Sequence, residues 1–83
     1  MNVTLKYFAS IREAVGQSTE TWQTQSSHLG GLRDELLARG EPYAQALARG
    51  RAVRMALNQD LSEEDGSLSE GCEVAFFPPV TGG

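Results

Sequence analysis

The chain is expected to fold as α+β, a mixed four- to five-stranded sheet with one main helix on one face. Three observations predict this. Met1 to Phe8 alternates, with Val3, Leu5 and Tyr7 on one side and Thr4, Lys6 and Phe8 on the other, the period-two pattern of a half-buried strand. Leu29, Leu32, Leu36 and Leu37 form an apolar stripe at helical spacing, suited to covering one sheet face. Phe76-Phe77 then runs into Pro78-Pro79, which lack the N–H groups a ladder needs and so end the sheet. The 83 residues are expected to form a single domain, 1–83, with 78–83 projecting as a flexible C-terminal tail. So small a chain buries only about 60–65% of its unfolded surface, which leaves a thin stability margin.

The elements follow in order. After the first strand, Ala9 to Val15 predicts a short helical turn closed by Gly16 in the left-handed position. Ser18 to Gln25, rich in threonine and carrying Trp22 as a core anchor, predicts a second strand paired with the first. Ser26, Ser27 and His28 offer N-cap groups for the main helix. Gly30 and Gly31 weaken its first turn by about 1 kcal/mol each relative to alanine, unless they permit close helix–sheet packing. Arg39 suits the helix dipole, and Gly40 is the stop. A second short helix follows Glu41-Pro42, with Tyr43, Ala46 and Leu47 inward, and Gly50 ends it. Ala52 to Leu57 alternates as a further strand with Val53, Met55 and Leu57 on one side. Asn58-Gln59-Asp60 predicts a turn, Ser62 to Ser67 an acidic loop, and Leu68 a plug under that loop. In the last strand, Glu73 to Phe77, Val74 and Phe76 point inward and Ala75 and Phe77 outward.

Composition narrows the function. A net charge of −4 argues against nucleic acid, whose binders carry a basic footprint. No stretch approaches the roughly 20 apolar residues of a membrane span, and Met1 to Phe8 lacks a signal-peptide pattern, so a cytoplasmic location is expected. His28 is the only histidine and Cys72 the only cysteine, so no metal site and no internal disulfide are expected. Cys72 lies between acids in Glu70-Gly71-Cys72-Glu73, a setting that disfavours a thiolate, and Cys72→Ser is expected to leave any sulfur chemistry intact. Arg49, Arg51 and Arg54 form a loose basic cluster that reads either as a partner or anion contact or as a solvated strand edge. No nucleophile–base pair or phosphate-binding loop is present, which leaves the terminal carboxylate as the group positioned for chemistry.

The tail shows how. Pro78 and Pro79 stiffen the exit, and Gly82 and Gly83 present no Cβ to the walls of a narrow channel. From Pro79 the remaining residues reach at most about 13 Å. Phe76 to Gly83, Phe-Phe-Pro-Pro-Val-Thr-Gly-Gly, resembles the terminus of the MoaD/ThiS family of ubiquitin-like sulfur carriers, and its wording is most similar to the molybdopterin synthase branch. Tyr7-Phe8-Ala9, Ile11-Arg12-Glu13, Gly16 and Leu57-Asn58-Gln59 extend the resemblance along the chain.

The resemblance implies a β-grasp, ubiquitin-like fold, with the first two strands as a hairpin and the last strand parallel to the first. It implies that an ATP-dependent adenylating enzyme (MoeB-like) activates Gly83 and that a sulfur donor protein converts it to a thiocarboxylate. The arm Pro79, Val80, Thr81, Gly82 and Gly83 then enters the molybdopterin synthase large subunit (MoaE-like), which carries the catalytic residues, in a two-plus-two heterotetramer. Sulfur passes to cyclic pyranopterin monophosphate. Phe8, Leu61 and Phe77 are implied as the partner-binding surface, and no cofactor is implied for this chain alone. Exposed apolar patches of that kind mark partner surfaces. Three alternatives stand beside this: sulfur donation to thiamine thiazole or tRNA thiolation, a protein modifier conjugated through Gly83 to lysines, and a plain binding module that uses only the aromatic face.

Overall fold

The computed structural model describes residues 1–79, so Val80, Thr81, Gly82 and Gly83 lie outside the described residues. The elements run β1 (Asn2–Tyr7), α1 (Ala9–Val15), β2 (Thr19–Gln23), α2 (Leu29–Leu37), α3 (Tyr43–Ala46), β3 (Arg54–Leu57), β4 (Asp60–Ser62) and β5 (Glu73–Phe77). The sheet order is β2-β1-β5-β3-β4. β1 pairs antiparallel with β2 and parallel with β5, and β3 pairs antiparallel with both β5 and β4. This is the β-grasp arrangement. Its consequence for function is that the last strand is central, so the chain leaves the sheet between β1 and β3.

The alternation is realised. Val3, Leu5, Tyr7, Val74 and Phe76 meet Leu29, Leu32 and Leu36 of α2 in one core, and Tyr7 stacks on Phe76 with ring centroids 6.0 Å apart. Tyr43, Ala46 and Leu47 close the core below α2, while Met55, Leu68 and Cys72 fill its edges. Gly16 takes the left-handed conformation at φ 83°, and its N–H donates to the Arg12 carbonyl at 2.9 Å, the αL stop for α1.

Several local expectations are corrected. Asp60–Ser62 is a strand, where a turn through Asp60 and a loop from Ser62 were expected, because Asn58 and Gln59 are both left-handed, at φ 51° and 72°, and complete the turn before Asp60. That geometry makes a tight two-residue hairpin in which Leu57 faces Asp60. Neither Ser26, Ser27 nor His28 caps α2 through a side chain. Instead the 62–67 loop supplies carbonyls, Gly66 to the Leu29 N–H at 2.9 Å and Glu64 to the Gly30 N–H at 2.8 Å. Gly30 and Gly31 serve loop packing and not helix–sheet packing. A Cβ on Gly30 would sit 3.2 Å from Glu64 Cβ, and one on Gly31 would sit 2.8 Å from Ser26 Cβ. Arg39 lies beyond the last turn of α2 and stacks over the Trp22 and Tyr43 rings, 4.7 and 3.9 Å from their centroids. Ala75 points away from α2 as expected but is buried all the same, being flanked by Lys6 and Ala56 on the adjoining strands.

Candidate functional site

The face of the sheet away from α2 divides into two halves. Along β2 and the start of β1 it presents Thr19, Thr21, Gln23, Asn2 and Thr4, a polar half. Around β5 it is apolar. Tyr7 is the register partner of Phe76, which puts Phe8 beside Phe77 at the end of the sheet, and the Phe8 N–H donates to the Phe76 carbonyl at 3.1 Å. Ala75 pairs with Ala56, and Ala56 with Leu61, so a floor of two alanines links the phenylalanines to Leu61 across β3. Phe8 is 45% exposed and Leu61 69%, while Phe77 is half-buried. All three sequence-predicted surface residues therefore lie on one face.

Backbone geometry aims two of them. The chain reverses at Ala9 in the left-handed region, φ 52°, so Phe8 stays with the sheet while α1 turns away. The left-handed pair Asn58-Gln59 folds β4 back so that Leu61 sits beside Ala56. Lys6 is a member of this face that sequence reasoning left out. It is the register partner of Ala75 and forms an ion pair with Glu73 at 3.3 Å. The alternation placing Phe8 outward already placed Lys6 outward as well. Of the tail residues, Pro79 is described and partly exposed. Pro78 lines a cleft of about 340 Å³ with Ile11, Ala46, Arg51 and Val53.

The polar groups on the helix side serve the fold. Glu35 accepts from Trp22 Nε1 at 2.9 Å, Thr24 Oγ1 at 2.8 Å, the Gln25 N–H at 3.0 Å and Ser26 Oγ at 2.9 Å, tying α2 to the end of β2. Burial pushes its carboxyl up, but these hydrogen bonds outweigh burial and hold it below the usual carboxylate range. Glu20 behaves alike: burial raises it, and the bonds from Arg39 at 2.9 Å and Tyr7 at 2.7 Å bring it down. Burial and the Glu20 bond push the Tyr7 phenol far up, so it stays a donor. Arg33, 4% exposed, donates to the carbonyls of Leu47 and Ala48 at 2.8 and 3.1 Å. Arg49 holds Glu64, Asp34 and the Gly30 carbonyl, and its bonds to Glu64 lower that carboxyl. Arg49 is thus part of the clasp over α2 and does not belong with Arg51 and Arg54.

Chemistry within the described residues is sparse. No group of three His, Cys, Asp or Glu there is placed to hold a metal ion. Ser27 Oγ lies 2.9 Å from His28 Nδ1, but the two are exposed sequence neighbours, and no carboxylate among the described residues hydrogen-bonds the imidazole. Cys72 is 4% exposed within the core, where it packs as a small apolar side chain. No helix is long and apolar enough to cross a membrane among the described residues. Gly83, the residue expected to carry the chemistry, lies outside the described residues.

Comparison with known families matches residues 5–83 to the ThiS family. The chain belongs to the ThiS family. It is 40% identical over 77 residues to the molybdopterin synthase sulfur carrier subunit of Escherichia coli (strain K12), covering 93% of this chain and 94% of that one. It is also 31% identical over 97 residues to small archaeal modifier protein 3 of Haloferax volcanii, covering all of both. Among solved structures, SAMP1 from Haloferax volcanii superposes with a TM-score of 0.77 at 22% identity, covering 100% of each chain. A chain in the complex of subunits 1 and 2 of molybdopterin-converting factor from Helicobacter pylori 26695 gives 0.69 at 23%, again over 100% of each. Both structures share the β-grasp fold of this ThiS-family member.

Proposed function

We propose that the chain is the sulfur carrier subunit of a molybdopterin synthase, with Gly83 as the residue that carries sulfur. The observation that bears most weight is the apolar surface of Phe8, Phe77 and Leu61 at the point where β5 delivers the chain to Pro78-Pro79. A docked partner covering that surface would receive the arm Pro79, Val80, Thr81, Gly82 and Gly83 in a fixed direction. Identity of 40% to a relative named as such a carrier supports the same reading.

The steps follow from carboxylate chemistry. A carboxylate is a poor electrophile until one oxygen becomes part of a leaving group. An adenylating enzyme joins the Gly83 carboxylate to the α-phosphate of ATP and releases pyrophosphate. The terminal sulfur of a donor persulfide attacks the acyl carbon and expels AMP. A thiol then cleaves the S–S bond, leaving the Gly83 thiocarboxylate, a better nucleophile than the oxygen acid. In the large subunit this sulfur is donated to cyclic pyranopterin monophosphate, and enclosure of the arm keeps water from the thiocarboxylate. This chain supplies docking and a tethered co-substrate; the partner supplies catalytic groups. A cytoplasmic two-plus-two assembly belongs to the same proposal.

The modifier reading has its own support in the 31% identity to small archaeal modifier protein 3. Lys6 is the chain's only lysine, and it is ion-paired on the open face, so lysine-linked self-chains would have to form on the docking surface itself. Reconstitution with the adenylating enzyme, ATP and a persulfide donor separates the two. The carrier gains about 16 Da as sulfur replaces oxygen and then converts the pterin precursor when the large subunit is added. Lysine adducts without precursor conversion would replace the carrier reading with the modifier one.

A further inference from the structure

Most of the cations of this chain are committed. Lys6, Arg33, Arg39 and Arg49 each form an ion pair. Arg12, Arg51 and Arg54 are exposed and form none among the described residues. They come from α1, the loop before β3, and β3, yet the fold places all three around the end of β5. Arg54 is the register partner of Phe77, the last residue of β5. Arg51 shares a cleft with Pro78. Arg12 shares a cleft with Phe8, whose N–H is bonded to the Phe76 carbonyl. Glu63 and Glu64 line the cleft beside Arg54, and Glu13 follows Arg12 in sequence; Glu64 is already held by Arg33 and Arg49, while Glu13 and Glu63 form no ion pair among the described residues.

We propose that Arg12, Arg51 and Arg54 form a basic rim around the exit of the C-terminal arm, and that it receives carboxylates ringing the partner cavity that takes the arm. The three arginines line three different clefts, so they are spread around the exit and not gathered in one pocket as a phosphate site would require. That spread suits an extended acidic protein surface. The rest of the molecule carries the acid excess behind its net charge of −4. An acidic partner therefore repels most of this surface and attracts only the pole from which the arm leaves, which orients the encounter. The rim rests on the carrier reading and adds to it the sign of the partner's charge.

The test measures association of the full chain with the purified large subunit and, separately, with the adenylating enzyme, across salt concentrations. Rim charges act mainly on association rate and salt dependence. Arg51→Glu with Arg54→Glu is expected to slow association about tenfold or more at low salt, with a difference that closes as salt rises. Arg12→Glu alone moves in the same direction by less. Arg51→Gln with Arg54→Gln gives an intermediate rate should the reversed charges disturb folding, which circular dichroism reports. Arg51→Lys with Arg54→Lys restores the rate, because the rim acts through charge. Unchanged rates and salt slopes in the Glu pair, with normal binding by the natural chain, overturn the rim and leave the carrier reading standing. A natural chain that binds neither protein overturns both. Pyrophosphate binding by the natural chain that the Glu pair loses overturns the protein partner in favour of a small-anion site.

Discussion

Phe76 and Phe77 are the same residue type, one position apart in β5, and the sheet assigns them opposite tasks. Phe76 is wholly buried between Tyr7 and the helix layer, whereas Phe77 is half-buried on the open side, next to Phe8 and opposite Arg54. Equal hydrophobicity thus stabilises the fold on one side and remains available for association on the other. The cause is the pleat, which turns successive side chains to opposite faces. A protein that works by docking needs this division, because an apolar surface used up in its own core cannot bind anything else.

The comparison breaks most visibly at Phe76. Phe76→Ala is expected to cost about 3–5 kcal/mol, a large share of the stability of so small a fold, and thermal or denaturant unfolding will show it. Phe77→Asp should leave the melting transition within about 1 kcal/mol of the natural chain while weakening large-subunit binding by about 2 kcal/mol, roughly 30-fold by titration calorimetry. Equal effects of the two changes on unfolding would remove the distinction between the faces.

Polar ties on the covered side come next. Glu35→Gln is expected to lower stability by about 1–2 kcal/mol near neutral pH, since the carboxylate accepts four hydrogen bonds there. The folded-state pKa of Glu35 is lowered, so its contribution is fully present above the ordinary carboxylate range and is lost as pH falls through the lowered value. Unfolding curves of variant and natural chain should therefore converge in acid; a gap independent of pH would assign the loss to packing. The smallest effect belongs to the open side. Gln59→Gly at φ 72° should stabilise by about 0.5–1 kcal/mol, because the hairpin that aims Leu61 favours glycine at its second position.

How far these features were legible depends on the distance over which they are encoded. The Val3-Leu5-Tyr7 and Val74-Phe76 alternation, the Leu29-Leu32-Leu36 stripe and the Gly16 stop are local signals, and each appears in the structure where the sequence placed it. Phe8 and Phe77 were readable as outward for the same reason. The start of α2 was not, because its N–H groups are satisfied by carbonyls of Glu64 and Gly66, more than thirty positions on, and not by its own flanking serines. β4 was missed because Asp60–Ser62 is too short to show a period, and only its pairing with β3 makes it a strand. The cluster of Arg49, Arg51 and Arg54 is close in sequence and divided in space: Arg49 locks Glu64 and Asp34 over α2, and Arg51 and Arg54 join Arg12 at the exit.

Alternating and helical spacings, together with the proline pair, by themselves determined the strand faces, the main helix and the point where the sheet ends, since each depends on dihedral preferences a few residues wide. Only the tertiary structure decided that the last strand lies in the middle, that Leu61 shares a floor with two phenylalanines, and which arginines are paired among the described residues. Those outcomes depend on pairings between residues tens of positions apart, which are settled when the sheet assembles and every buried donor and charge finds its partner.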